Sequence, residues 1–326
     1  MELIETTLAD SGLDFAPKQH IRTVLSAAKR KLGRAITDTE FRYNWHYWQQ
    51  RLTRNPKTTL RFDDPQQILY LASGRTAPYR LASWLPEVPV PVGPTLQYFL
   101  VKNFQEVLAE FQNRREEIKE ILQNNSLLIA TNHATWINFP IIMLALNRAL
   151  GISREQIYTV LGPALTTYEQ GLYCPMSLGN LLKTVPDTKN GNIPGLEQLI
   201  SSIRKKFLKQ IREIAQQPGN IILMAPAGTR DLYDPETGQI GIKQPSAGTC
   251  GLINKLNLPT LAVGTNDRAI FGADENVQRG AEYLRLGEII SPGEIDPDLG
   301  NLLENLAGLI VDANGNQVGY LSEEAA

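Results

Sequence analysis

The chain of 326 residues is short of the side chains that most often carry metal and redox chemistry: it has two cysteines, Cys174 and Cys250, and three histidines, His20, His46 and His133. Two cysteines so spaced give neither a zinc-ligand pattern nor a disulfide framework, so a reducing compartment is expected, and both read as buried small apolar residues. A long hydrophobic run is also lacking. The longest apolar stretch, Phe139 to Leu146, stops at Asn147 and Arg148, far short of the roughly 20 residues needed to span a bilayer. Charge of one sign is missing too: 32 basic against 34 acidic residues leave a net charge of -2, without the positive field of a dedicated nucleic-acid binder. The opening Met-Glu-Leu-Ile-Glu is acidic and leads into Asp10 and Asp14, unlike a signal or transit peptide. A cytoplasmic protein with no nucleic-acid partner is expected, with peripheral membrane contact left open. No G-x-x-x-x-G-K-[ST], G-x-S-x-G, H-E-x-x-H or G-x-G-x-x-G occurs, which weakens the common nucleotide-binding, serine-hydrolase and zinc-protease readings.

The chain does have enough apolar material, 42% of its residues, to bury a full core, and its length suggests about two domains. Residues 84–94 hold four prolines in nine positions, Pro86 to Pro94, which forces an extended path and predicts a linker. Residues 1–83 then form a helical domain, with helices from Pro17 to Leu32 and from Thr37 to Leu52. The second opens on a capping box, Thr37 with Glu40 three residues on. Its aromatic cluster, Phe41, Tyr43, Trp45, Tyr47 and Trp48, suits either a core or a half-wet surface against lipid or an acyl chain.

Residues 95–326 predict an α/β domain, a mostly parallel central sheet flanked by helices. A long amphipathic helix from Thr95 to Gln123 leads into the apolar strand Ser126–Ala130. Further strands are expected at Ile157–Leu161, Leu182–Val185, Ile221–Ala225, Leu261–Gly264 and Tyr283–Ile290, with helices near 139–150, 194–216 and 244–256. The 194–216 helix carries Ile203, Phe207, Ile211 and Ile214 as one stripe and Lys205, Lys209 and Arg212 on another face. That basic face is either simply solvated or a dock for an acidic carrier or anionic headgroups.

Candidate chemistry sits after two strand ends, where open α/β sheets place their ligands. His133 follows the first strand in Thr-Asn-His-Ala-Thr-Trp-Ile-Asn, and an imidazole there can serve as a general base if an acceptor holds its other nitrogen. Asn138 is the candidate acceptor. The second segment, Ile221-Ile-Leu-Met-Ala-Pro-Ala-Gly-Thr-Arg-Asp231, ends in Gly228, Thr229 and Arg230. Backbone N–H groups with a guanidinium suit a phosphate or carboxylate. Alternatively it is a surface turn whose arginine pairs with Asp231 or Asp234.

In this order the two segments resemble the glycerolipid acyltransferase superfamily, with its N-H-x-x-x-x-D and P-E-G-T-R blocks, and within it the soluble plastid-type glycerol-3-phosphate acyltransferases. Ala225-Pro-Ala-Gly-Thr-Arg-Asp-Leu-Tyr-Asp-Pro235 is similar to that group's A-P-S-G-G-R-D-R-P-D-P, Pro175-Met-Ser-Leu-Gly-Asn-Leu-Leu-Lys183 to its F-S-M-G-R-N-L-L, and Leu258-Pro-Thr-Leu-Ala-Val-Gly264 to the apolar fourth block. The likeness covers about residues 127–290. It implies acyl transfer from an acyl carrier protein or acyl-CoA to a hydroxyl of glycerol 3-phosphate or a lysophospholipid-like acceptor, with no metal and no cofactor beyond that co-substrate. His133 would be the base, Gly228, Thr229, Arg230 and Lys189 would hold phosphate, backbone donors near His133 or Gly162 would meet the oxyanion, and the Phe139–Leu146 run or the N-terminal aromatics would line an acyl groove. Three positions depart from the pattern: Asn138 replaces the acid, Leu232 the second arginine, and Asn190 the histidine after Lys189. They leave room for a different acceptor, or for a catalytically impaired pseudo-acyltransferase that binds lipid or acyl carrier. If Asn138 is a degraded acid, Asn138→Asp should raise turnover about tenfold or more.

Overall fold

A computed structural model describes residues 2–54, 60, 62, 104–134, 138–161, 180–183, 197–266, 284–312 and 314–325. The expected linker at 84–94, Cys174, Gly162, Lys189 and Asn190 lie outside them.

Three helices open the chain: α1 (Glu2–Asp10), α2 (Phe15–Leu32) and α3 (Asp38–Arg54). Their apolar stripes close on one small core of Leu8, Ile21, Leu25, Phe41, Trp48, Leu52 and Leu60. Phe41 and Trp48 are each 1% exposed, and Trp45 stacks on Phe41 at 6.1 Å between ring centroids. The two buried rings therefore belong to the core rather than to a lipid-facing surface; the side chains of Tyr43 and Tyr47 lie outside the described part.

The α/β portion begins with α4 (Phe104–Asn113) and α5 (Arg115–Asn124). The sequence predicted one continuous helix here. The break falls at Arg114, whose φ of -103° and ψ of 11° leave the helical region and whose Nη1 donates to the Gly287 carbonyl at 2.8 Å. Strands β1 (Leu127–Thr131), β2 (Ile157–Leu161), β3 (Asn180–Lys183), β4 (Ile221–Met224), β7 (Thr260–Thr265) and β8 (Leu284–Ile290) form a sheet of order β3-β2-β4-β1-β7-β8. All its pairings are parallel except that of β8 with β7.

Helices cover both faces, which is why the central strands read as unbroken apolar runs rather than as alternation. Leu127, Ile129, Ile221, Leu223, Leu261 and Val263 point into one layer with α4, α5 and α6 (Asn138–Ala145). Leu128, Ala130, Ile222, Met224 and Ala262 point into the other, with α7 (Glu197–Ala215), α8 (Ala247–Leu256) and α9 (Gly300–Leu309). The Ile203, Phe207 and Ile211 stripe of α7 is buried as its spacing predicted. Fully burying each such side chain is worth roughly 1.5–3 kcal/mol.

A second, three-stranded sheet was not foreseen. It joins β5 (Leu232–Tyr233), β6 (Ile240–Gln244) and β9 (Gly319–Ala325) in the order β5-β6-β9. Two-residue β5 is too short to leave a pattern, and the Glu-Glu-Ala end of β9 has weak strand preference. No helix among the described residues is long and apolar enough to cross a membrane.

Candidate active site

The site forms where the ladder around β1 ends. The last rungs pair Ala130 with Met224 of β4 and Thr131 with Val263 of β7; beyond them the ladder stops, and most of the bonding passes to side chains. Asn132, 2% exposed, does most of this. Its Oδ1 accepts from the Thr265 N–H at 2.7 Å and the Thr265 hydroxyl at 3.2 Å, and its Nδ2 donates to Asp231 Oδ2 at 2.8 Å and the Thr265 carbonyl at 2.9 Å. Four bonds are the full capacity of a side-chain amide. The Asp231 N–H donates to the His133 carbonyl at 2.9 Å, so the loops after β1, β4 and β7 are fastened together.

His133 is half-buried beside this knot. Its Nδ1 lies 3.3 Å from Asn138 Oδ1, and Asn138 Nδ2 donates to the Asn132 carbonyl at 2.6 Å. The second contact fixes the first. A carbonyl only accepts, so the amide nitrogen of Asn138 must face Asn132 and its oxygen must face the imidazole. Nδ1 is then the donor to Asn138, and in the neutral imidazole this leaves the lone pair on Nε2, the tautomer a general base requires. Asn138 is fully buried, and the Phe139 ring lies tilted at 43° against the imidazole with centroids 5.5 Å apart. The amide and the ring hold the imidazole in orientation.

The second expected segment follows β4. Pro226 and Ala227 occupy the corner of a turn closed by the Gly228 N–H donating to the Ala225 carbonyl at 3.0 Å. Gly228 has φ of +66° with open space where a Cβ would stand, so glycine serves the left-handed backbone rather than a tight fit. Its N–H, expected to face a phosphate, is engaged within the turn. Thr229 and Arg230 follow, both half-buried, and bring the turn to the same edge of the sheet as His133. Asp231 Oδ2 accepts from Asn132 Nδ2. Asp234 accepts from the Glu236 N–H at 2.9 Å and the Thr237 hydroxyl at 2.6 Å, and the Thr237 hydroxyl above all, with those turn N–H groups, holds its carboxyl below the usual range.

Most of the Phe139–Leu146 run is core rather than groove lining. Phe139, Ile141, Ile142, Met143, Ala145 and Leu146 are all at most 4% exposed and fill the layer beneath the sheet. Cys250 is half-buried on α8, and burial pushes its thiol pKa up. Asn132 and Thr265 escaped the sequence reading, and Asp231 entered it only as a candidate partner of Arg230. The adjacency of Asn132 to His133 and of Asp231 to Arg230 was the only available sign, because their pairing spans 99 residues.

No family model matches the chain. Among curated proteins it is similar to the chloroplastic glycerol-3-phosphate acyltransferase of Arabidopsis thaliana, with 26% identity over 151 residues, or 44% of this chain and 32% of that protein. The match therefore spans about a third of the relative's length. This likeness, distant and partial, supports an acyltransferase relationship.

Proposed function

We propose that the chain transfers a fatty acyl group from an acyl thioester, carried on acyl carrier protein or CoA, to a hydroxyl of glycerol 3-phosphate or a related phosphorylated lipid precursor. The observation that supports this most directly is the contact of His133 Nδ1 with the oxygen of an amide that the Asn132 carbonyl prevents from turning over. The acceptor hydroxyl gives its proton to Nε2 as its oxygen attacks the thioester carbonyl carbon. The tetrahedral intermediate collapses with cleavage of the C–S bond, and the imidazolium returns the proton to the leaving thiolate. Atoms balance without a covalent enzyme intermediate. Arg230 and Thr229, on the bend made by Gly228, hold the acceptor's phosphate; Lys189, the further expected contact, lies outside the described residues. Much of the rate then comes from holding hydroxyl and thioester in attacking geometry.

The alternative is a pseudo-acyltransferase that binds lipid or acyl carrier without turnover. Neutral Asn138 and apolar Leu232, in place of an acid and a second arginine, favour it. The deciding experiment incubates the protein with isotopically labelled acyl donor, on carrier protein and on CoA, and a panel of phosphorylated and non-phosphorylated acceptors, read by mass spectrometry. A labelled ester of glycerol 3-phosphate that disappears in His133→Gln supports the enzyme. Intact thioester with every acceptor supports the binding protein.

A further inference from the structure

Asn132 and Asp231 have no place in the chemistry described so far, yet Asn132 is a buried amide with all four hydrogen-bonding positions used, and one of the four goes to the Asp231 carboxylate. Asn132 is 2% and Asp231 8% exposed. The Asn132 amide is saturated by Thr265 and Asp231, and it cannot be replaced by an acid, since a carboxylate there would face both the Thr265 carbonyl and the Asp231 carboxylate. Residues 132–133 and residue 231 are joined twice, through the side chains at 2.8 Å and through the Asp231 N–H to the His133 carbonyl at 2.9 Å. His133 itself accepts one of these bonds through its carbonyl, and Arg230 stands one peptide link from the other end.

We infer that Asn132 and Asp231 are positioning residues that fix the distance between the imidazole and the Arg230 turn, and with it the hydroxyl-to-phosphate spacing that an acceptor must have. The inference rests on the proposed function for its acceptor, but the tie between the two loops exists without it. Each strand ends in a loop of its own, and no ladder rung beyond Ala130 and Met224 holds β1 to β4. Beyond that rung these two bonds cross from one loop to the other. A base and a phosphate clamp on separately moving loops would accept acceptors of several lengths; on tied loops they select one.

The test compares Asp231→Ala, which cuts the side-chain tie, with Asp231→Asn, which keeps an acceptor oxygen in the same place. Two readouts are taken on full-length protein: the ¹⁵N spectrum of His133, assigned with His133→Gln, and kcat/KM for glycerol 3-phosphate against a butanediol monophosphate of greater span. In Asp231→Ala the Nδ1–H tautomer signature should weaken and discrimination between the two acceptors should fall about tenfold or more. Asp231→Asn should keep both near the wild-type values. Unchanged tautomer and discrimination in a folded Asp231→Ala, or equal damage from Asp231→Asn, would overturn the inference. If Asp231→Ala does not fold, Thr265→Val, which removes one bond to the Asn132 amide, must move both readouts in the same direction. A wild type that acylates no acceptor defeats the proposed enzyme, and the His133 spectrum then decides the tie alone.

Discussion

Asn138 stands where the resembled pattern has an acid, and its two bonds reverse what the sequence led one to expect of it. An aspartate at this position would keep one oxygen on the imidazole but turn the other, charged, toward the Asn132 carbonyl, which Asn138 Nδ2 now meets at 2.6 Å. Two acceptors at that distance repel, so Asn138→Asp should lower acyl transfer about tenfold or more rather than raise it. It should also cost about 1–3 kcal/mol of stability at neutral pH, read by urea unfolding. Protonation of the new carboxyl supplies a donor for the carbonyl. Its folded-state pKa is thus raised, and the stability deficit should shrink as the pH falls through that value. A faster Asn138→Asp enzyme would show that the amide is a degraded acid after all. Of the candidate site, His133, Asn138, Thr229 and Arg230 were legible because chemistry-bearing residues stood at the ends of apolar runs. The roles of Asn132, Asp231 and Thr265 were not, because they depend on which strands become neighbours.

Among elements, the start of α3 shows a local signal realised in full. The Thr37 N–H donates to Glu40 Oε2 at 2.8 Å, and the Glu40 N–H donates to Thr37 Oγ1 at 3.3 Å, the reciprocal pair that the spacing predicts. Arg34, which the spacing does not include, adds a two-pronged ion pair. Its guanidinium, ahead of the Thr37 bonds, holds the Glu40 carboxyl down at about 2. Because folding favours the ionised form, this contribution is complete at neutral pH and is lost as the pH falls from about 4.5 toward 2. Glu40→Gln should cost about 1–2 kcal/mol at pH 7, allowing for the exposed arginine, and almost nothing near pH 2. Thermal unfolding across that range checks it. At the other end of the chain, α9 and the turn after it lie so close to β9 that a Cβ on Gly319 would sit 2.3 Å from the Ala307 carbonyl oxygen and 2.9 Å from Ile310 Cβ. Backbone cannot yield as a side-chain tip can. Gly319→Ala should therefore cost about 1–3 kcal/mol, seen as a lower urea midpoint with an unchanged slope.

At the scale of the whole molecule, the sheet was legible because strands covered on both faces are continuous apolar runs bounded by turn residues, as in Leu127–Thr131 and Ile221–Met224. Its order was not, since no local pattern tells β1 that its neighbours come from residues 221 and 260 onward. The same architecture leaves α7 with its apolar side against the sheet and Lys205, Lys209 and Arg212 on the exposed side. Lys209 pairs with Glu213 at 3.8 Å across one helical turn, an exposed contact worth little. On a chain of net charge -2, this face is a local positive feature, and if the proposed donor is an acidic acyl carrier protein, it is attracted there. Steering of that kind acts through solvent and decays over about 10 Å at 0.1 M salt. The double variant Lys205→Glu/Arg212→Glu should therefore lower kcat/KM with acyl carrier protein about threefold or more at low ionic strength. The deficit should close as salt is added, and use of acyl-CoA, which lacks the acidic protein surface, should change much less. A deficit that is the same at every salt concentration, or none at all, would leave the lysines and arginine as solvated residues that keep the outer face of α7 in water.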